Sequence, residues 1–199
     1  MRKRVFLRVS HFPDDGIYFL LGADELYMTE ETKFDIYMGL ALEEAQKSLE
    51  LTEVPVGAVV VCEGEVVAAA YNTRETDKNA VKHAEVTAIS RACEKLGGWR
   101  LHKCELYVTL EPCPMCAGAI VNSRIKKVVY GAKDPKAGAF GTVLDLNAFP
   151  LNHKPEIVSG VREAECASLL SDFFKALRAK KDSDKKARQA MSKEGQSEN

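Results

Sequence analysis

A chain of 199 residues, 46% hydrophobic and 29% charged, is long enough for one domain with a full core. Its formal net charge of −1 does not mark it as a general polyanion binder, and no apolar run approaches the roughly twenty residues of a membrane helix. Six cysteines without framework spacing fit a reducing, cytoplasmic setting rather than a disulfide scaffold.

Arg2, Lys3 and Arg4 open the chain, but the apolar stretch behind them is broken at Arg8 and met by Asp14-Asp15, too short for a signal sequence. Residues 1–28 show no strong period. Thr29 or Thr32 can cap a helix with apolar positions at Phe34, Met38, Ala41, Leu42, Ala45 and Leu49. Val54 to Cys62 reads as a buried strand, Glu63-Gly64-Glu65 as a turn and Val66 to Tyr71 as the hairpin partner. A polar loop from Asn72 to Lys82 leads into a helix from His83 to about Leu96, stopped by Gly97-Gly98. Glu105 to Thr109 is a third strand, followed by a short helix to about Ser123. Lys127 to Tyr130 is a fourth strand, Gly131 to Gly141 a loop, and Glu156 to Ser159 a fifth strand. A last helix from near Arg162 is expected to bury Cys166, Leu169, Leu170, Phe173, Phe174 and Leu177. Helices alternating with strands favour a three-layer α/β/α sandwich. No repeat or linker divides residues 29–178, which read as one domain. Residues 179–199 read as a basic, flexible tail, with Lys180, Lys181, Lys185, Lys186 and Arg188 available for phosphate contacts. A merely solvated end is an equally good reading of that charge.

The chemistry concentrates in His83-Ala84-Glu85 and Pro112-Cys113-Pro114-Met115-Cys116. Cys113 and Cys116 are spaced i, i+3, so a helix start puts both thiols on one side, where free N–H groups favour thiolate. Pro112 and Pro114 are tolerated at such a start. His83 at the start of a second helix supplies a third ligand. Three ligands leave a zinc coordination position open for water. Glu85, two residues from His83, remains free to move protons. A Cys-x-x-Cys alone would suggest structural zinc or a redox pair, but His-x-Glu upstream makes that reading the weaker one. His102 and His153 are possible fourth ligands outside metal-site spacing. Cys62, Cys93, Cys104 and Cys166 read as ordinary buried thiols. The set is that of zinc-dependent hydrolytic deamination of an amine-bearing base, with the open site at the carboxyl edge of a sheet. A backbone N–H near Ala84 is placed to stabilise developing charge.

From Phe34 to Arg178 the chain resembles the bacterial tRNA-specific adenosine deaminases of the cytidine-deaminase-like superfamily. The resemblance rests on Val54-Pro55-Val56-Gly57-Ala58-Val59, Tyr71-Asn72, His83-Ala84-Glu85, Tyr107 through Ala119, Ser123-Arg124-Ile125, Val129 through Asp134, and Leu169 through Phe174. It implies a five-stranded mixed sheet and a homodimer with one zinc per subunit. It also implies conversion of the wobble adenosine of an arginine tRNA anticodon to inosine. On that resemblance Asn72, Val56 and Ala84 contact the flipped nucleotide, and Asp134, His153 and Phe173 its neighbours in the anticodon stem-loop. Read without it, Asn72 is a turn residue, Val56 is core, Asp134 precedes a turn at Pro135, and at least one of Phe173 and Phe174 is core. Residues 1–28 are an extension the family commonly lacks, and Met28 stands where its members typically start. Phe140 replaces a small residue, and Ala148-Phe149-Pro150 departs from the pattern near the expected RNA. A deaminase of a free base or nucleotide (cytosine, cytidine nucleotide or guanine) would share zinc, Glu85 and fold. A non-catalytic zinc module would have no use for Glu85.

Overall fold

The structure, a computed structural model, describes residues 29–194, with the side chains of 186, 187 and 189–194 excepted. The expected N-terminal extension, 1–28, lies outside the described residues. Thr29 caps α1 (Glu30–Glu50), its hydroxyl accepting the Thr32 N–H at 3.1 Å, and Glu30 and Glu31 face the positive helix end. β1 (Gly57–Cys62) and β2 (Glu65–Tyr71) form a hairpin. Its turn puts Glu63 and Gly64 at φ 50° and 91°, as a two-residue connection with the strands' own twist requires. α2 (Ala84–Leu96) ends on Gly97 at φ 69°. The chain continues through β3 (Cys104–Leu110), α3 (Pro114–Ser123), β4 (Lys127–Ala132), a 3-10 turn at Leu146–Ala148, β5 (Glu156–Ser159) and α4 (Glu163–Glu194).

The strands form one mixed five-stranded sheet in the order β2-β1-β3-β4-β5. β1 runs antiparallel to β2 and β3, while β3, β4 and β5 are parallel. Side chains alternate across it. Val59, Val61, Tyr107 and Val129 pack against α1 and the start of α4. Ala58, Val60, Leu106, Val108 and Val128 pack against α2 and α3 on the other face. This is the expected three-layer sandwich. The α1 side is tight: a Cβ on Gly57 would collide with the Ala41 carbonyl oxygen, so only glycine lets the helix lie on β1.

β1 starts at Gly57 rather than at Val54. Pro55 has no N–H to give a ladder, and the Val56 N–H folds back to the Val54 carbonyl at 2.9 Å. β4 runs two residues past its expected end, taking in Gly131 and Ala132. A Gly131 side chain would collide with Cys166, so glycine is what lets α4 approach there. The last helix departs further. Of its expected buried residues only Cys166 is fully buried, and Phe174 is 37% exposed. α4 meets β4 and β3, and from Ser171 onward its surface is mostly open. It also continues beyond Arg178 to Glu194, where a tail was expected. That stretch contains no glycine or proline and is rich in lysine and alanine, which favour helix.

Candidate metal centre

Three strands of this sheet point one end at the same region. The loop after β2 leads to α2, β3 runs through Glu111-Pro112 into α3, and β4 enters the 133–142 loop. His83 is the N-cap of α2 and Cys113 the N-cap of α3. Neither makes a side-chain capping bond, so both side chains are free to turn toward each other. Cys116 lies one turn inside α3. His83 Nδ1 is 3.6 Å from Cys113 Sγ and 3.5 Å from Cys116 Sγ. All three ligand atoms lie within 4.8 Å of one another. Tetrahedral zinc, with bonds of about 2.3 Å to sulfur and 2.0 Å to nitrogen, needs an N···S edge of about 3.5 Å. The two observed edges, both measured from Nδ1, fit that geometry. No fourth His, Cys, Asp or Glu joins the group among the described residues, so His102 and His153 do not close it. Cys62, Cys93, Cys104 and Cys166 are free thiols.

The electrostatics suit a cation. A hydrogen bond from the Cys116 thiol, aided by His83 and opposed by burial, brings Cys113 down to about 4. Cys116, bonded to that thiolate and buried, is pushed up. The bond to Cys113 raises His83. The lowered Cys113 puts negative sulfur in the space between two helix starts. Glu85 is 4% exposed in the first turn of α2, and burial raises its carboxyl above the usual range. It contacts Cys116 but is not a member of the ligand cluster.

The other anticipated positions divide. Val56 and Ala84 are buried in one apolar cluster. Asn72 is also buried, and its Nδ2 donates to Glu53 Oε2 and to the Val54 carbonyl, both at 3.2 Å. Both neighbours can only accept, which fixes the orientation of the amide and leaves Oδ1 without a partner among the described residues. Asp134 caps its own turn, its Oδ1 accepting the Lys136 N–H at 2.9 Å. His153 Nε2 lies 2.6 Å from the Ile125 carbonyl, which can only accept, so this nitrogen bears the proton. Phe173 stacks edge-on against Phe174 with centroids 5.3 Å apart. Neither of the last two contacts involves a residue of the cysteine cluster. Phe140, the unusual loop residue, is 6% exposed and belongs to the core on the α2 side.

Two acids are not singled out by the sequence patterns. Glu53 and Glu111 are each 1% exposed. The available signal is a carboxylate inside an apolar motif, Glu53 before Val54-Pro55-Val56 and Glu111 between Leu110 and Pro112. Glu53 takes the Asn72 amide and the Thr76 N–H, the latter at 2.5 Å.

Residues 32–178 match the family model of the MafB19-like deaminases. The tRNA-specific adenosine deaminase of Bacillus subtilis is 53% identical over 156 residues, which is 78% of this chain and 97% of that protein. A solved structure from work on A-to-I editing by tRNA:A34 deaminases at the wobble position of transfer RNA superposes with a TM-score of 0.66 at 45% identity. That match covers 68% of this chain and 99% of the other. A guanine deaminase from Nitrosomonas europaea gives 0.57 at 28% identity, covering 70% and 83%. The chain belongs to the MafB19-like deaminases and, by the identity and coverage of its relatives, to the tRNA-specific adenosine deaminase family.

Proposed function

We propose that this protein converts adenosine to inosine at the wobble position of an arginine tRNA anticodon, by zinc-dependent hydrolysis that releases ammonia. The observation that carries the reading is a cluster of three potential ligand atoms among the described residues, with the buried Glu85 beside it. Zinc held by His83 Nδ1, Cys113 and Cys116, one ion per subunit, would keep a coordination position open and lower the pKa of water from about 15.7 toward about 7. Glu85 takes a proton from the attacking water and delivers one to the ring nitrogen as oxygen adds at C6. It then helps protonate the departing amine, so adenosine and water give inosine and ammonia. Val56, Asn72 and Ala84 receive the flipped nucleotide, Asn72 through its free Oδ1. Asp134, His153 and Phe173 meet the neighbouring nucleotides of the anticodon loop, whose bases are already partly unstacked.

The catalytic domain spans residues 29–178 and works as a cytoplasmic homodimer. The basic stretch beyond it meets phosphates. Among the described residues no helix is long and apolar enough to cross a membrane.

The test is inosine formation in an arginine-tRNA anticodon stem-loop, read by nucleoside mass spectrometry. Glu85→Ala runs alongside, with free adenosine, cytidine, cytosine and guanine as competitors. Wobble inosine from the unaltered protein alone supports the reading. Silence on RNA with turnover of a free base moves the protein to small-molecule deamination, a class represented among its structural neighbours by a guanine deaminase. Bound zinc with no turnover of any base leaves a binding module.

A further inference from the structure

We propose that Glu111 is a positioning residue that ties the 133–142 loop to the strand end bearing Cys113. The inference rests on the RNA-deaminase reading for its consequence, but its geometry stands apart from that reading.

Glu111 sits two residues before Cys113 and is 1% exposed. A buried carboxylate is costly unless charge-assisted hydrogen bonds replace its water. Here every replacement comes from one loop. Oε1 accepts the N–H of Phe140 at 3.0 Å and that of Thr142 at 3.2 Å. Oε2 accepts the N–H of Asp134 at 3.2 Å and also the Thr142 hydroxyl. No cation pairs with Glu111 among the described residues. The loop crosses directly over the carboxyl group, since a Cβ on Gly138 would collide with Oε2. Two backbone bonds fasten the same joint, Glu111 N–H to the Ala132 carbonyl at 2.8 Å and Ala139 N–H to the Pro112 carbonyl at 2.9 Å.

Loops normally satisfy their backbone with water. This one turns three N–H groups inward onto a single side chain, and Phe140 anchors it in the core. Lys133, Pro135 and Lys136 stay exposed around the half-buried Asp134, and the Lys136 ammonium lies 5.9 Å from the Phe174 ring centroid. Glu111 thereby sets the distance between the cysteine cluster and the loop expected to meet the anticodon. Losing its grip should shift RNA recognition and leave the metal in place.

The test uses Glu111→Gln in the full chain, which keeps the length but aims an amide N–H₂ at loop donors. Thr142→Val, which removes only the hydroxyl donor, is the milder companion should the first variant fold poorly. Three quantities are read: zinc per subunit, trypsin cleavage after Lys133 and Lys136, and KM and kcat on the arginine stem-loop. We expect unchanged zinc, cleavage about tenfold faster in Glu111→Gln and a smaller rise in Thr142→Val, as the loop opens more often. KM should rise about tenfold with kcat within about twofold. Glu111→Asp, charged but one methylene short, should not restore the loop. Unchanged cleavage, loss of zinc, or a fall in kcat at constant KM would each overturn the proposal. If the unaltered protein does not act on the stem-loop, the functional reading fails, while zinc and cleavage still judge Glu111.

Discussion

His83 and Cys113 cap two different helices, and His83 Nδ1 stands 3.6 Å from Cys113 Sγ across thirty residues of sequence. A cap residue ordinarily turns its side chain onto its own helix, and these two do not. The positive ends of the two helices favour negative sulfur between them. Metal affinity should therefore depend on the sulfur itself and not on helix formation.

Cys113→Ser tests this directly. Serine keeps a good cap and the helix, but replaces a soft thiolate with a neutral hydroxyl. Zinc per subunit, measured by elemental analysis after dialysis, should fall below half of the unaltered value, with the far-ultraviolet circular dichroism unchanged. Full occupancy would remove Cys113 from the ligand set.

Glu85→Ala separates metal binding from proton transfer. The carboxylate lies outside the ligand cluster, so zinc content should stay at one per subunit. Turnover should drop by about 10³-fold, the usual scale of a lost general acid-base. Activity within a few-fold of the unaltered protein would show that another group moves the proton.

Asn72→Asp probes the amide's fixed orientation. It would place a carboxylate against Glu53 and the Val54 carbonyl, with no donor left between them. The expected cost near neutral pH is about 2 kcal/mol. Repulsion raises the folded carboxyl pKa above its unfolded value, so the deficit should shrink as pH falls and the pair takes up a proton. Urea unfolding at pH 5 and pH 8 should give a clearly larger loss at the higher pH, and equal losses would refute the contact.

Lys33 and Glu105 join α1 to β3 through a 2.7 Å ion pair whose side chains are each 15% exposed. Burial alone would push Glu105 up, but the bonds from Lys33 and the Tyr107 hydroxyl outweigh it and hold the carboxyl below its usual range. A depressed carboxyl contributes stability that is present above its unfolded pKa and is lost as pH falls through the folded one. Lys33→Met should cost about 3 kcal/mol at pH 7. The variant should also lose less further stability than the unaltered protein between pH 5 and pH 3. Parallel stability curves would contradict the pairing.

Truncation after Arg178 removes the outer part of α4. Exposed Lys180, Lys181, Lys185 and Arg188 leave with it. RNA affinity should fall mainly at low salt, and the slope of log affinity against log salt should become shallower. Identical slopes for the two proteins would make that helix extension idle in RNA binding.

The local grammar of this chain is legible in its amino-acid order. Thr29 as a cap, Gly64 in a hairpin turn and Gly97 as a stop are short-range choices, and each occurs where backbone sterics require it. His83-Ala84-Glu85 and Pro112 through Cys116 are legible for the same reason, since metal ligands are few in kind and helix spacing limits where they stand. Other features depend on what lies across space. Glu53 and Glu111 look like ordinary acids in the chain, because their donors come from segments 19 to 31 residues away. The apolar stripe at Leu169 through Leu177 predicts burial, yet periodicity says only that a helix has an apolar face and not that the sheet extends far enough to cover it. Local sequence therefore determined the elements and the residue types gathered at the candidate metal centre. Only the packed fold decided which buried carboxylates hold the loops around the site, because a hydrogen-bond partner is chosen by proximity in space rather than by position in the chain.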